Sequence, residues 1–170
     1  MSGQIFSRVE LTDLARLAVR DWVQAALAKR MDIGYEEPPH PVEVEGNAVM
    51  LREMLSNLID NAIRYTPPGG RITVRVRTNE SDTRHVFLEV EDTGLGIPEA
   101  ERTRVVERFY RILGREGDGS GLGLAIVREI AMMHGGTLDI DDHVYNEAPR
   151  QAGTLVRVGL QRVYPARDKP

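Results

Sequence analysis

One run of the chain, Leu55 to Pro67, reconciles its side chains only as a helix with two unlike faces. At about 100° of turn per residue, Glu53, Asn57, Asp60, Asn61 and Arg64 fall within an arc of roughly 100°. Leu51, Met54, Leu55, Leu58, Ile59, Ala62 and Ile63 take the rest of the circumference, as in a helix laid against a core. Pro67, Pro68, Gly69 and Gly70 then stop it, because proline removes a backbone donor and paired glycines favour a turn.

The polar face is the unusual part. Two uncharged amides one turn apart, flanked by a carboxylate and a guanidinium, differ from the Lys and Glu that would simply solvate a surface. An ordinary exposed face would also fit this stretch taken alone. An amide carbonyl is a hard oxygen suited to Mg²⁺, which takes one or two protein oxygens and leaves its other positions to water and substrate phosphates.

The remaining segments alternate between helix and strand signals. Gln4 to Val9 reads as a short strand, and Leu11 to Lys29 as a helix with Leu14, Leu17, Ala18, Trp22, Ala25 and Ala26 inward and Thr12 or Asp13 as N-cap. Short strands are expected at Asp32 to Glu37 and Val42 to Gly46, around the Pro38-Pro39-His40-Pro41 turn. Arg71 to Thr78 and Val86 to Asp92 alternate apolar and polar residues and make a hairpin across a polar turn. Gly121 to His134 reads as a buried helix, and Thr137 to Asp141 and Thr154 to Leu160 as two more strands. The expectation is one α/β domain, a two-layer sandwich with a mixed sheet of about five strands and helices on one face.

Gly94 to Ser120 breaks this regularity. Apart from a short helix starting at Pro98, it is dense in charge and glycine. Irregular segments beyond about 12–15 residues are usually functional or disordered, and a lid over a ligand is the expectation. At one end of it, Asp92 closes an alternating strand and opens Thr93-Gly94-Leu95-Gly96-Ile97. A carboxylate there can accept a hydrogen bond from the exocyclic amine of adenine, where guanine carries a carbonyl. Gly94 and Gly96 allow close backbone approach to a flat base, although Asp before Thr-Gly is also ordinary turn chemistry. At the other end, Gly119, Gly121 and Gly123 precede an apolar helix, so backbone N–H groups and the helix N-terminus can face an anion. The chain has no Gly-Lys dipeptide, which the Walker pattern needs, and no Gly-x-Gly-x-x-Gly after a strand.

Asn57 to Pro67, Asp92 to Ile97, Arg108-Phe109-Tyr110-Arg111 and Gly119 to Val127 occur in the order of the N box, first glycine box, F box and second glycine box. Over roughly Val42 to Leu160 the sequence resembles the ATP-binding catalytic domain of two-component sensor histidine kinases, in the wider superfamily of gyrase, mismatch-repair ATPases and a heat-shock chaperone. The resemblance implies the Bergerat-type sandwich with an ATP lid. It divides the chain into a linker-like segment (1–41), the catalytic domain (42–162) and a tail (163–170).

Carried over position by position, the resemblance implies that Asn61 supplies an oxygen to Mg²⁺ and Asn57 supports metal and phosphates. Arg64 would meet phosphate oxygens and Tyr65 would lie along the adenine, with the core as the other place for Tyr65. Phe109 would anchor the lid, and Arg111 would reach the terminal phosphate or remain a solvated charge. Arg108 and Arg115 would stay in solvent. Asp92, Gly94, Gly96, Ile97, Gly119, Gly121, Leu122, Gly123 and Leu124 complete the nucleotide contacts. The ATPases of the superfamily carry a Glu general base one turn before the metal-binding Asn, where this chain has Asn57. An amide cannot take a proton from water, so efficient hydrolysis is disfavoured, and Glu53 is expected to lie too far back to substitute.

The family's phosphoacceptor, a His-Glu followed closely by Pro on a helical hairpin, has no match here. His40, His85, His134 and His143 lie in a proline turn, a strand start, a helix end and an acidic strand end. The implied partners are a separate His-bearing dimerisation domain and a response regulator. A nucleotide-dependent docking module and a serine kinase of the anti-sigma type are the rival readings. Net charge is −4 with dispersed basic residues, which makes no case for nucleic acid or an anionic membrane surface. Cysteine is absent, excluding disulfide and thiolate chemistry. The longest apolar runs are too short to span a bilayer, and the resemblance implies a cytoplasmic location as the cytosolic portion of an inner-membrane sensor.

Overall fold

The computed structural model describes residues 5–107 and 123–164. The elements are β1 (Ser7–Glu10), α1 (Leu11–Ala28), β2 (Asp32–Glu36), β3 (Glu43–Gly46), α2 (Ala48–Tyr65), β4 (Arg71–Asn79), β5 (Asp82–Asp92), a 3₁₀ turn at Glu99–Glu101, α3 (Gly123–Met133), β6 (Thr137–Glu147) and β7 (Arg150–Val163).

The strands form one mixed sheet in the order β1-β3-β7-β5-β4-β2, with β6 paired to β7. Among the described residues only β2 and β4 run parallel; the other pairings are antiparallel. Alternation along β4, β5 and β7 sends Ile72, Val74, Val76, Val86, Leu88, Val90, Val156, Val158 and Leu160 into the core. The helices cover that face, α1 against β2 and β4, α2 against β4 and β5, and α3 against β6 and β7. The seven apolar residues assigned to the inner side of α2 are its seven buried residues.

The sheet holds seven strands among the described residues, more than the five expected. Part of the excess comes from β1, which pairs with β3 and runs into α1 without a linker. That continuity moves the N-cap of α1 to Glu10, whose carboxylate accepts from Asp13 N, and leaves Thr12 buried. Ala25, placed inward by periodicity, is exposed. β6 and β7 extend well beyond Thr137–Asp141 and Thr154–Leu160, because their far ends pair with each other from Asp142↔Thr154 to Glu147↔Arg150. That outer hairpin lies largely in solvent, so its residues need no alternation and gave no strand signal.

The opposite face of the sheet carries charge. Register aligns Glu36, Arg75, Glu89, Arg157 and Asp139 across β2, β4, β5, β7 and β6 in one row of alternating sign. Arg77 Nε and Arg157 Nη2 bond to Glu89 at 2.6 and 3.1 Å, and Arg75 bonds to Glu36 and Glu91 at 2.6 and 3.0 Å. These carboxylates hold the Arg75 guanidinium protonated, with its pKa raised although burial by itself would lower it.

Candidate functional site

The polar face of α2 stands clear of the core. Asn57, Asp60 and Asn61 are half-buried, and Glu53 and Arg64 are exposed. Asn57 donates from Nδ2 to the Glu53 backbone carbonyl at 3.0 Å, which turns its Oδ1 into the available end. Arg64 Nε donates to Asp60 Oδ2 at 3.0 Å one turn back, so the guanidinium expected to meet phosphate is held by a carboxylate on the same helix.

Asn61 faces the first residue of α3. A Cβ built on Gly123 would sit 3.1 Å from Asn61 Oδ1 and 3.3 Å from Nδ2, tighter than ordinary packing allows. Glycine at that position therefore lets the start of a helix close onto a side-chain amide. The two motifs, 62 positions apart, converge on one edge of the helical layer.

A second convergence forms at the end of β5. Asp92 is nearly buried, and its Oδ1 accepts from Gly94 N at 2.8 Å and Thr154 N at 3.2 Å. A Cβ on Gly94 would lie 2.6 Å from the Tyr65 carbonyl oxygen and 2.9 Å from both Asp92 Oδ1 and Thr66 Oγ1. Gly96 has φ of +72°, and its built Cβ would also meet the Ala152 carbonyl oxygen at 2.9 Å, so the turn requires glycine twice over. Leu95 N reaches the Tyr65 carbonyl at 3.4 Å, tying the turn to the end of α2, where Tyr65 is half-buried. Thr66 is fully buried, and its hydroxyl has no hydrogen-bond partner among the described residues. A buried hydroxyl without a partner among the described residues, near a carboxylate, is a polar group left for a further contact.

Below the turn, Arg102 Nε donates to the Ile97 carbonyl at 3.2 Å and its Nη2 pairs with Asp142 Oδ1 at 2.7 Å. Arg150 holds the other oxygen of Asp142 at 2.8 Å. The hydrogen bond from Arg150, with Arg102 adding to it, keeps the Asp142 carboxyl below the usual carboxylate range. Leu124 is half-buried against the core. The helix expected at Pro98 is the 3₁₀ turn, with Pro98 at its cap position. Phe109, Arg111, Gly119, Gly121 and Leu122, with Arg108 and Arg115, lie outside the described residues.

Four residues at this site escaped the sequence reading. Thr66, Gly153, Thr154 and Arg102 surround the Asp92 turn. The available signal was Gly153-Thr154 at the start of an alternating strand, which reads as strand punctuation until its register against β5 is known.

A family profile described as histidine kinase-, DNA gyrase B- and HSP90-like ATPase matches residues 46–163, most of the chain. The chain belongs to this family. It is 43% identical over 136 residues to the signal transduction histidine-protein kinase/phosphatase MprB of Mycobacterium sp. (strain KMS), covering 79% of this chain and 26% of that protein. The MprB of Mycolicibacterium smegmatis is 39% identical over 155 residues, 91% of this chain and 31% of the relative. The chain thus spans about a quarter to a third of the curated relatives it matches. Among solved structures, a mycobacterial sensor histidine kinase MprB superposes with a TM-score of 0.77 at 31% identity, over 93% of this chain and 98% of that one. The catalytic domain of histidine kinase ThkA shares the fold, with a TM-score of 0.77 at 22% identity over 93% and 97%. Within the family, this chain is therefore a sensor-kinase ATPase domain. No described helix is long and apolar enough to cross a membrane.

Proposed function

We propose that this chain binds Mg-ATP and donates the γ-phosphoryl group to a histidine on a separate dimerisation and phosphoacceptor domain, as the catalytic part of a two-component sensor kinase. The observation that carries the reading is the approach of Asn61 to Gly123, which sets a metal-suited amide against the start of the helix after the glycine motif. The Asp92 pocket, with its orphaned Thr66 hydroxyl, supplies a matching place for a base.

The residues present fit the nucleotide and its metal. Asp92 accepts the adenine amine, Gly94, Gly96 and Ile97 shape the base pocket, and Tyr65 lies along the ring. Asn61 ligates the metal and Asn57 supports it, while the start of α3 at Gly123 and Leu124 receives the phosphates. Arg64 reaches them by leaving Asp60. Gly119, Gly121, Leu122, Phe109 and Arg111 complete the phosphate and lid contacts in this reading. Bound Mg²⁺ supplies charge neutralisation on the phosphates.

The protein's part is positioning. A nitrogen of the acceptor imidazole forms the new bond to the γ-phosphorus as the bond to the β,γ-bridging oxygen breaks, and ADP departs with that electron pair. The four histidines of this chain do not match the acceptor pattern. His85 and His143 lie on strands β5 and β6, where they pair with Asp82 at 2.7 Å and Glu91 at 3.1 Å. Both ring nitrogens of His134 are hydrogen-bonded. His40 sits in the exposed proline turn. A response regulator would then receive the phosphoryl group, with this domain on the cytosolic side of an inner-membrane sensor.

Calorimetric titration with ATP and GTP, with and without Mg²⁺, tests the reading. ATP preference that falls in Asp92→Asn by about 10- to 100-fold is expected, the worth of one hydrogen bond to a charged group. Acid-labile phosphate on an added His-bearing hairpin then establishes the transfer. Absence of binding at millimolar nucleotide favours a docking module, and acid-stable phosphate on a serine partner favours the anti-sigma type.

A further inference from the structure

The Asn-bearing helix is gripped at both ends by side chains from the other two helical segments. At its start, Asn47 caps α2 by accepting from Met50 N at 3.1 Å, and the Asn47 N–H donates to His134 Nε2 at 3.0 Å. His134 follows α3 directly. Because Nε2 accepts, the proton sits on Nδ1, and Nδ1 donates to the Ile130 carbonyl at 2.7 Å. The ring reaches this place only because position 46 is glycine, since a Cβ there would lie 2.7 Å from His134 Cδ2. Phe6 stacks on its outer side with ring centroids 4.8 Å apart.

At the other end, Lys29 Nζ donates to the carbonyls of Ile63 at 2.6 Å and Arg64 at 3.1 Å. These belong to the last turn of α2, whose carbonyls have no partner within the helix, and a cation there also meets the negative end of the helix. Lys29 caps α1 through its own backbone, so its position is set by a different element. It is the only lysine among the described residues.

Asn57 and Asn61 lie between these two grips, and Asn61 stands so near Gly123 that a Cβ there would come within 3.1 Å of its Oδ1. A slip of one residue along the axis would move Asn61 by about 1.5 Å. We propose that Lys29 and His134 are positioning residues that set the axial place of α2 against the start of α3, and so the metal-dependent part of ATP binding. The proposal rests on the nucleotide reading above.

The test is the gain in ATP affinity on adding Mg²⁺, measured by calorimetry on the full chain, because loss of general stability does not select the metal-dependent part. In Lys29→Met and in His134→Phe, which keeps a ring for Phe6, the gain is expected to drop by about 5- to 10-fold. ATP affinity without metal should change less than twofold. Lys29→Arg retains the donors, and His134→Gln returns an acceptor at the Nε2 position, so both should recover most of the gain. Wild-type ring ¹⁵N shifts should show His134 protonated on Nδ1, which needs no variant to fold. An unchanged gain in either truncated variant that folds overturns the proposal, as does an Nε2-protonated ring. If neither folds, failure of His134→Gln and Lys29→Arg to keep the gain overturns it. Absence of any metal gain in wild type instead overturns the nucleotide reading, leaving the tautomer result to stand by itself.

Discussion

A Cβ on Gly153 of β7 would overlap the carbonyl oxygen of Asp92 at the end of β5, so the floor of the candidate base pocket is set by backbone against backbone. Neither strand can yield, because β5 and β7 are paired from Glu91↔Leu155 to His85↔Gln161. Gly153→Ala is therefore expected to cost about 3 kcal/mol and to abolish nucleotide binding. Gly34 in edge strand β2 has nothing within 4 Å of its built Cβ, and Gly34→Ala should be neutral or stabilise by about 0.5 kcal/mol. Urea unfolding of the two variants checks the contrast, and equal stabilities would defeat it.

Asp142 bridges Arg102 and Arg150, and through Arg102 it braces the Ile97 carbonyl at the base turn. Its carboxyl is held below the usual range, chiefly by the hydrogen bond from Arg150. The sign follows: stabilisation is complete above the ordinary carboxylate range near pH 4 and is lost as pH falls through the lowered folded value. The group is exposed, so the effect on global stability should stay under about 1 kcal/mol. Asp142→Asn at neutral pH should reproduce the acid effect locally, speeding solvent exchange of the Arg102 Nε proton in NMR. Unchanged exchange would show that Asp142 does not hold Arg102 to Ile97.

The parts of this structure that repeat within one element were readable before any coordinates. Leu51 through Ile63 divided correctly into faces because a helix reports its own period. Ile72, Val74 and Val76 did the same for β4. What stayed hidden depends on partners far along the chain. Lys29 and His134 bond to backbone groups of α2, and backbone groups leave no trace in side-chain identity. Gly153 needs glycine because of Asp92, 61 positions earlier, and only register between β5 and β7 brings them together.

The resemblance sets Asn57 where the superfamily's ATPases carry a general base, and that correspondence has a measurable consequence. Glu53 is exposed, and its backbone carbonyl is what Asn57 engages. The isolated chain should show negligible steady ATP hydrolysis, and Glu53→Gln should leave that background unchanged within twofold. A coupled-enzyme assay decides the matter: turnover that vanishes in Glu53→Gln would make Glu53 the base.

Glu89 is 2% exposed, yet it belongs to the face of the sheet turned away from the helices. Arg77 from β4 and Arg157 from β7 cover it, each bonding to a different oxygen, so three strands share one buried carboxylate. Removing it in Glu89→Ala leaves two guanidiniums side by side without their acceptor, at a cost of about 2 kcal/mol. Glu89→Gln keeps both oxygen-side contacts only in part and should cost less than the alanine variant. The joint change Arg77→Leu with Arg157→Leu and Glu89→Leu trades the charges for packing, and should recover most of the loss if the cluster contributes mainly by avoiding unpaired charge. Recovery in that triple variant, measured by denaturant titration, would separate the need for pairing from any net gain by the charges. Stability of the triple variant no better than Glu89→Ala would instead mean that the row of alternating charge itself holds β4, β5 and β7 in register.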